Sequence, residues 1–171
     1  IDKDHQEIEE LLSLFGTFKN NSRKFITNQS HPLTAPLSSQ WANDFATDTS
    51  RDAGYTASDF KQEGMEISFK VNNHPFSLHL PGKHNMENAI AATAVAHQLG
   101  VDLATCAAAL KNYEGIYRRH QVLGQKQGVW LIDDYAHNPV KCAAAIAACQ
   151  PIAPKVIAWF QPHGYKPTKF L

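Results

Sequence analysis

Apolar residues in the first twenty positions recur at the spacing of a helix. A capping-box pair, Asp4 and Glu7, is followed by apolar residues at positions i, i+3, i+4 and i+7. These are Ile8, Leu11, Leu12 and Phe15. The spacing predicts an amphipathic helix over residues 4–20. The segment after it has the composition of a strand, which we expect at residues 24–28.

Alternating apolar and polar residues indicate a hairpin in the middle of the chain. Residues 65–71 and 75–80 alternate on either side of Asn72-Asn73, and asparagine tolerates the positive φ that tight turns require. We therefore expect two antiparallel strands joined at this pair. Residues 30–60 are rich in Ser, Thr, Asp and Pro, and their pattern predicts no clear element.

Two helices are predicted after the hairpin. The first covers residues 85–99 and ends before Gly100, which can adopt the left-handed backbone that often follows a helix. The second follows Asp102, a residue type that caps helix N-termini, and extends to about residue 113, before Gly115.

The pattern changes after residue 115. A continuous apolar run at 129–132 is followed by a helix that begins at Asn138-Pro139, and by a second continuous run at 156–160. Strand, helix and strand in this order, with strands that do not alternate, predict a parallel βαβ unit covered on both faces. The predicted fold class is therefore α/β, with a domain boundary near residues 113–118.

Composition and charge exclude several classes of protein. The 171 residues carry 16 Lys and Arg against 16 Asp and Glu, so the chain lacks the basic excess of a nucleic-acid-binding protein. No apolar run approaches the roughly 18 residues of a membrane span, and the N-terminal residues do not form a signal peptide. We expect a cytoplasmic protein that binds neither nucleic acid nor membrane, cut from a longer chain. Its three cysteines form no CxxC pair and are expected to be small buried hydrophobes.

Polar residues follow both predicted parallel strands, and a βαβ unit would bring them to one edge of the sheet. These residues are Asp133, Asp134, Tyr135 and His137 after the first strand, and Gln161, His163 and Tyr165 after the second. The helix that begins at Pro139 would point its free N–H groups at this edge, which suits a phosphate. Spacing leaves two interpretations open: a nucleotide or metal–phosphate site, or a capped helix beside solvated histidines.

Three further groups are candidates for binding. Asn85 and Asn88 lie three residues apart at a helix start, where an amide can pair with the adenine edge, although a helix cap and an exposed residue would give the same pattern. Arg118-Arg119 can hold a phosphate or stack on a base, or can form a solvated pair. His5 could bind a metal or be a surface residue.

The chain has no glycine-rich phosphate loop of the GxxxxGK[ST] or GxGxxG type.

Five groups of residues resemble, in order and spacing, the motifs of the Mur ligase family. They are Asp4-His5, Leu80-Pro81-Gly82-Lys83-His84-Asn85-Met86-Glu87-Asn88-Ala89, Arg118-Arg119, Asp133-Asp134-Tyr135-Ala136-His137-Asn138-Pro139 and Phe160-Gln161-Pro162-His163. The resemblance covers nearly the whole chain and is strongest to the ligases that add L-alanine. It implies a bacterial enzyme of peptidoglycan synthesis that depends on ATP and Mg²⁺. Such an enzyme joins an amino acid to UDP-N-acetylmuramate through an acyl phosphate.

The resemblance also implies a domain plan and residue roles. Residues 1–114 would be the last part of a P-loop-type central ATP-binding domain, and 115–171 the first part of a Rossmann-like C-terminal domain. The phosphate loop would lie outside this chain, which would be inactive alone. Nucleotide contacts are implied for His84, Asn85, Asn88, Arg118, Arg119 and Asp134. Catalytic roles on the amino-acid and phosphate side are implied for Tyr135, His137 and His163, and His5 would be a magnesium ligand.

The sequence departs from the pattern of the alanine ligases after Phe160-Gln161-Pro162-His163. Those enzymes continue with Arg-Tyr-x-Arg, whereas this chain has Gly164 and Pro167 at the two arginine positions. A nearby lysine cannot replace the bidentate contact of an arginine. One alternative is therefore a related ligase with another acceptor, of the murein-peptide or folylpolyglutamate type. A nucleotide-binding module without catalysis is a third possibility.

Overall fold

The computed structural model describes residues 8–162. Four helices and six strands follow one another in this part of the chain. They are α1 (Ile8–Asn20), β1 (Phe45–Ala46), β2 (Tyr55–Glu63), β3 (Glu66–Val71), β4 (His74–Leu78), α2 (Lys83–Gln98), α3 (Leu103–Lys111), β5 (Gln121–Lys126), β6 (Val129–Asp133) and α4 (Pro139–Cys149). The mixed α/β class predicted from the sequence is confirmed.

Strands β1 to β4 form one sheet in the order β1-β2-β3-β4. Strand β1 is parallel to β2, and the other pairs are antiparallel. The predicted hairpin is confirmed, because β3 and β4 pair directly and place Phe69 opposite Phe76. Asn72 and Asn73 form its turn with positive φ angles of 49° and 67°.

The hydrophobic core lies between this sheet and helices α2 and α3. Alternate residues of β3 are buried, in agreement with the period of two that a half-buried strand shows. Helix α2 contributes Met86, Ile90 and Ala94 to the same cluster, and α3 contributes Cys106. Helix α1 buries none of its residues completely, but its apolar face lines a groove of about 150 Å³ together with Leu33 and Leu37.

The structure differs from the sequence prediction at residues 24–28. They form no strand, and Asn28 makes a single parallel bridge to Phe45. The buried carboxylate of Asp44 holds this segment in place. It accepts hydrogen bonds from the Thr27 amide at 2.7 Å and from the Gln29 side chain at 2.7 Å. Ser38 donates a further hydrogen bond to the same carboxylate. Side-chain contacts therefore replace the ladder that we expected.

Strand β2 is an element that the sequence pattern did not predict. Its first residues alternate between buried and half-buried positions, but its second half is largely exposed. Asp59 adopts a positive φ of 55°, and the register with β3 shifts between Ser58 and Lys61. This irregularity interrupts the alternation by which a strand is recognised in sequence.

The predicted helices α2 and α3 are confirmed, with shifted ends. Helix α2 begins at Lys83 rather than at residue 85, because Gly82 occupies the N-cap position. Gly100 follows it with a φ of 95°. Asp102 caps α3 as predicted, since its carboxylate accepts a hydrogen bond from the Thr105 amide at 2.8 Å. Helix α3 ends at Lys111, before the residue 113 expected from Gly115.

The second part of the chain departs from the predicted parallel βαβ unit. Strand β6 and helix α4 are present, and Asn138 caps α4 by accepting from the Lys141 amide at 2.9 Å. However, β6 pairs antiparallel with β5, a strand that we did not predict, and the two form a two-stranded sheet. Residues 156–160 carry no assigned strand, although they are described. A continuous apolar run becomes a strand only when a neighbouring strand satisfies its backbone, and no strand among residues 8–162 pairs with residues 156–160.

The cysteines lie in helices, as expected. Cys106 is buried, whereas Cys142 and Cys149 are half-buried, and all three are free. Within residues 8–162, no helix is both long enough and apolar enough to cross a membrane.

Candidate functional site

The first turn of α2 and the last turn of α4 meet at Gly82. A Cβ atom on Gly82 would lie 2.8 Å from the Cβ of Ala148 and 2.7 Å from Cε1 of His84. The side chain of Gln62, on β2, closes the same contact. It accepts a hydrogen bond from the Gly82 amide at 3.0 Å and donates one to the Ala148 carbonyl at 2.9 Å. Strand β2, the start of α2 and the end of α4 are therefore joined at this point.

Asp134 connects the loop after β6 to the segment before β5. Its carboxylate accepts hydrogen bonds from the backbone amides of His120 at 2.9 Å and Ala136 at 2.7 Å. The Tyr135 amide also donates a hydrogen bond to the Arg118 carbonyl at 2.9 Å, which links the same two segments. The sequence predicted Asp134 at the edge that follows the first strand, and in the structure its hydrogen bonds fix the backbone there. This edge, formed by Arg118, Asp134, Tyr135 and His137, is called the rim below.

Two histidines lie near Asp134, of which His120 is buried and His84 is half-buried. The ring centroids of His84 and His120 are 6.4 Å apart, and His120 is 2% exposed. Burial lowers the pKa of His84, and the charges of Asp134 and Glu87 oppose this effect. Burial also lowers the pKa of His120, which Asp134 opposes and His84 reinforces. Both rings are therefore held in the neutral form.

Arg118, Tyr135 and His137 form the exposed side of the rim. Nε of Arg118 lies 3.3 Å from a carboxylate oxygen of Asp133, and its guanidinium carbon lies 5.3 Å from the centre of the Tyr135 ring. Nδ1 of His137 is 2.9 Å from the Tyr135 carbonyl oxygen. The neighbouring Arg119 is exposed and donates its backbone amide to Ile116. A guanidinium, a phenol and an imidazole thus share one accessible edge.

The two asparagines of α2 have different surroundings. The side chain of Asn85 donates a hydrogen bond to the Pro81 carbonyl at 2.8 Å, so Asn85 braces the entry to the helix and is not its N-cap. Asn88 is exposed and lies one helical turn after His84, on the same face. Its amide therefore presents both a donor and an acceptor to solvent above the rim.

Two of the predicted site residues are not placed by the structure. His5 and His163 lie outside residues 8–162, and so does the segment in which two arginines are replaced. Within the described residues, no three side chains of His, Cys, Asp or Glu come together to hold a metal ion. The ligand role of His5 stays a prediction.

Sequence reasoning did not find His120, Cys149 or Gln62. His120 directly follows the arginine pair, but a lone histidine in a junction carries no pattern of its own. Its Nε2 lies 3.7 Å from Sγ of Cys149, a contact between residues 29 positions apart. Gln62 reaches Ala148 across 86 positions. Such contacts arise from tertiary packing, so no local sequence signal precedes them.

Two family models match this chain in sequence order. The model described as the Mur ligase middle domain matches residues 3–96, and the model described as the Mur ligase, glutamate ligase domain matches residues 118–166. The chain belongs to the Mur ligase family. The family resemblance that the five motifs indicated is therefore confirmed.

Curated Mur ligases align with almost the whole chain. The UDP-N-acetylmuramate–L-alanine ligase of Caldicellulosiruptor bescii is 36% identical over 90% of this chain and 33% of its own length. The enzyme of the same name from Synechococcus elongatus is 33% identical over 99% of this chain and 39% of its own length. This Mur ligase chain thus spans between a third and two fifths of these two relatives.

Solved structures show the same fold. The UDP-N-acetylmuramate–alanine ligase of Thermotoga maritima superposes with a TM-score of 0.75 at 25% identity, over 88% of this chain and 35% of the other. The folylpolyglutamate synthetase of Lactobacillus casei shares the fold with a TM-score of 0.62 at 16% identity, over 88% of this chain and 42% of the other. The arrangement of elements is therefore common to Mur ligases and this synthetase.

Proposed function

We propose that this chain is part of an ATP-dependent ligase that joins an amino acid, L-alanine as the first candidate, to a UDP-N-acetylmuramate-type acceptor. The observation that carries the proposal is the 33% identity to the Synechococcus elongatus alanine ligase over 99% of the chain. Such a ligase would act in the bacterial cytoplasm, without nucleic acid or membrane as a partner. The loop that binds the triphosphate would belong to a part of the protein outside these 171 residues, because they contain no glycine-rich phosphate loop.

The proposed reaction has two steps. A carboxylate oxygen of the acceptor attacks the γ-phosphorus of ATP, the bond to the β-phosphate oxygen breaks, and an acyl phosphate and ADP form. The amine of the amino acid then attacks the acyl carbon, loses a proton, and expels inorganic phosphate as the amide forms. The described residues would bind the nucleotide and orient the rim. His163, which would lie near the acceptor, is outside residues 8–162.

We assign the residues of the rim on the basis of their positions. Asn88 would read the edge of the adenine ring, and His84 and Asn85 would shape the first turn beneath it. Arg118 or Arg119 would reach the nucleotide phosphates or base. Tyr135 and His137, on the same accessible edge, would face the amino acid and the transferred phosphate. Asp134 would contact the ribose or fix the rim, in keeping with its two backbone hydrogen bonds.

We also propose a domain boundary at residues 114 and 115. Residues 1–114 would complete a central ATP-binding domain, and 115–171 would begin a C-terminal domain. Its support is that the two family models leave residues 97–117 between them, and that β5 starts a separate sheet at Gln121.

Phosphate release by the full-length protein that carries this chain tests the proposal. We expect ATP-dependent release of phosphate that requires both UDP-N-acetylmuramate and L-alanine, with a product whose mass is the sum of the two substrates less water. The control is the same assay without either substrate. ATP consumption that ignores both substrates, or no consumption with any amino acid or muramoyl acceptor, would contradict the proposal.

One observation favours a second acceptor or amino acid. The resemblance to alanine ligases implies arginines at the positions of Gly164 and Pro167, and arginine forks bind carboxylates and phosphates in a bidentate way. A panel of amino acids, muramoyl peptides and folates in the same assay distinguishes the cases. Turnover with a peptide or a folate and none with L-alanine would keep the family mechanism and replace the substrate.

Replacing Asn88 by alanine tests the nucleotide contact. Because a base-edge hydrogen bond is lost while the exposed side chain leaves no cavity, we expect KM for ATP to rise by about five- to tenfold. The acceptor KM and the melting temperature should stay near those of the wild type. Asn112→Ala, an exposed asparagine at the end of α3, is the matched control. Equal KM values for ATP in both variants and the wild type would remove Asn88 from the site.

A further inference from the structure

His120 occupies a position where the backbone and the side chain are both constrained. Its φ is 50°, in the left-handed region that L residues rarely adopt, and its side chain is 2% exposed. Arg118, two residues earlier, also has a positive φ of 56°. Residues in this conformation persist where the surrounding contacts determine them. The contacts that hold His120 therefore indicate the role of its side chain.

The imidazole of His120 lies between three segments of the chain. Nε2 is 3.7 Å from Sγ of Cys149 at the end of α4, and Nδ1 is 4.0 Å from a carboxylate oxygen of Asp134. The ring of His84, in the first turn of α2, is 6.4 Å away. Nδ1 is buried and has no hydrogen-bond partner within normal range. The titratable groups that face the ring are thus Asp134, Cys149 and His84, and Glu87 acts on His84 from the same helix.

These neighbours select one tautomer of the neutral ring. Burial, with a further contribution from Asp134, raises the pKa of the Cys149 thiol, so Cys149 keeps its S–H and can donate it to Nε2. The ring proton then resides on Nδ1, which faces the carboxylate of Asp134. The other tautomer would turn a lone pair of Nδ1 toward that negative charge. The arrangement is therefore a chain of contacts from the thiol through the imidazole to Asp134.

We propose that His120 is a positioning residue of the nucleotide-binding rim. Its Nδ1–H faces the Asp134 carboxylate at 4.0 Å, an electrostatic contact too long for a hydrogen bond, and its backbone amide donates to the same carboxylate at 2.9 Å. Its Nε2 lies 3.7 Å from Sγ of Cys149 on α4. The rim loop, the α2 turn and α4 are then held in one geometry, in which Asp134, His84 and Asn88 face the nucleotide together. This proposal rests on the proposed ligase function, and His120 touches neither substrate.

Three substitutions at residue 120 separate the contributions of the position. Asparagine places an N–H close to Nδ1 and tolerates positive φ, glycine tolerates positive φ without a side chain, and glutamine places an amide near Nε2. In the full-length protein we expect His120→Asn to keep KM for ATP within about twofold of the wild type. His120→Gly and His120→Gln should raise KM for ATP by about fivefold, with the acceptor KM unchanged, because the electrostatic contact between Nδ1–H and the Asp134 carboxylate is lost.

A second readout does not depend on the ligase reaction. The wild-type rings are neutral in the folded state because their pKa values are lowered, so the associated stabilisation is present above the ordinary pKa of about 6.5 and is lost as the pH falls below it. We expect the melting temperature of the wild type to fall more steeply with decreasing pH than that of His120→Asn. The range to measure is about pH 7.5 to about pH 5, which brackets the ordinary histidine pKa.

The outcomes separate the two proposals. If the wild type consumes ATP but asparagine and glycine raise KM for ATP equally, or if all variants change kcat and the acceptor KM as much as KM for ATP, the positioning role is wrong. If the wild type shows no ligase activity, the proposed function fails. In that case the pH dependence of stability decides on the positioning role. Equal loss of stability with acid in His120→Asn and the wild type would overturn it, whereas different pH profiles would support it.

Discussion

Replacing Gly82 by alanine is expected to destabilise the protein by about 3 kcal/mol, since the cost combines a backbone conformation that L residues avoid with two steric contacts. The φ of Gly82 is 99°, and the added Cβ would lie 2.7 Å from the His84 ring and 2.8 Å from Ala148. Either α2 or α4 must shift to admit it. Urea unfolding monitored by circular dichroism measures the loss. ATP consumption by the full-length protein should fall with it, because the same shift displaces the rim.

Gly100→Ala is the matched control for this experiment. Gly100 has a φ of 95°, close to that of Gly82, but a Cβ there would meet nothing within 4 Å. Its replacement should cost about 1 kcal/mol, which is the backbone contribution alone. The difference between the two variants then measures the contact between α2 and α4. Equal losses in the two variants would show that these helices are not tightly packed at Gly82.

Replacing Asp44 by alanine should cost a further large amount of stability, about 3 kcal/mol, because the removal of a fully buried acceptor leaves several donors unsatisfied. Asp44 has a relative exposure of 0% and accepts hydrogen bonds from Thr27, Gln29 and Ser38. These contacts fix the segment that joins α1 to the sheet. The midpoint of urea unfolding should fall with an unchanged slope.

Asp48→Ala provides the comparison for Asp44. Asp48 is exposed and accepts hydrogen bonds from Ser50, which keeps access to water when the carboxylate is lost. We expect its replacement to leave the unfolding midpoint nearly unchanged. A small effect of Asp44→Ala, similar to that of Asp48→Ala, would mean that the 24–44 segment contributes little to the folded state.

The local parts of the fold could be predicted from the sequence because their signals lie within a few residues. Asn72-Asn73 marked the hairpin, Asp102 marked the start of α3, and Asn138-Pro139 marked the start of α4. Each depends on backbone geometry that only certain side chains satisfy. The family followed from the same kind of signal, because its motifs are short and occur in a fixed order.

The parts that failed depend on partners distant in the chain. The expected strand at 156–160 needs a neighbour to pair with, and none of the strands among residues 8–162 pairs with it. Strand β2 was missed because a left-handed Asp59 and a register shift interrupt its alternation. At the candidate site, Asp134 and the arginine pair were found through motifs. His120 was not, because its role derives from Cys149 and His84, which approach it only after folding.

The side chain of Gln62 has a consequence for the order of folding. It joins Gly82, 20 residues away, and Ala148, 86 residues away, whereas the β3–β4 hairpin closes within two residues. Because the loop that must close grows with sequence separation, we expect the hairpin to form early and the Gln62 contacts to form late. Weakening a late contact accelerates unfolding and leaves the folding rate almost unchanged. We therefore expect loss of the Gln62 contacts to shorten the lifetime of the folded state more than it slows folding.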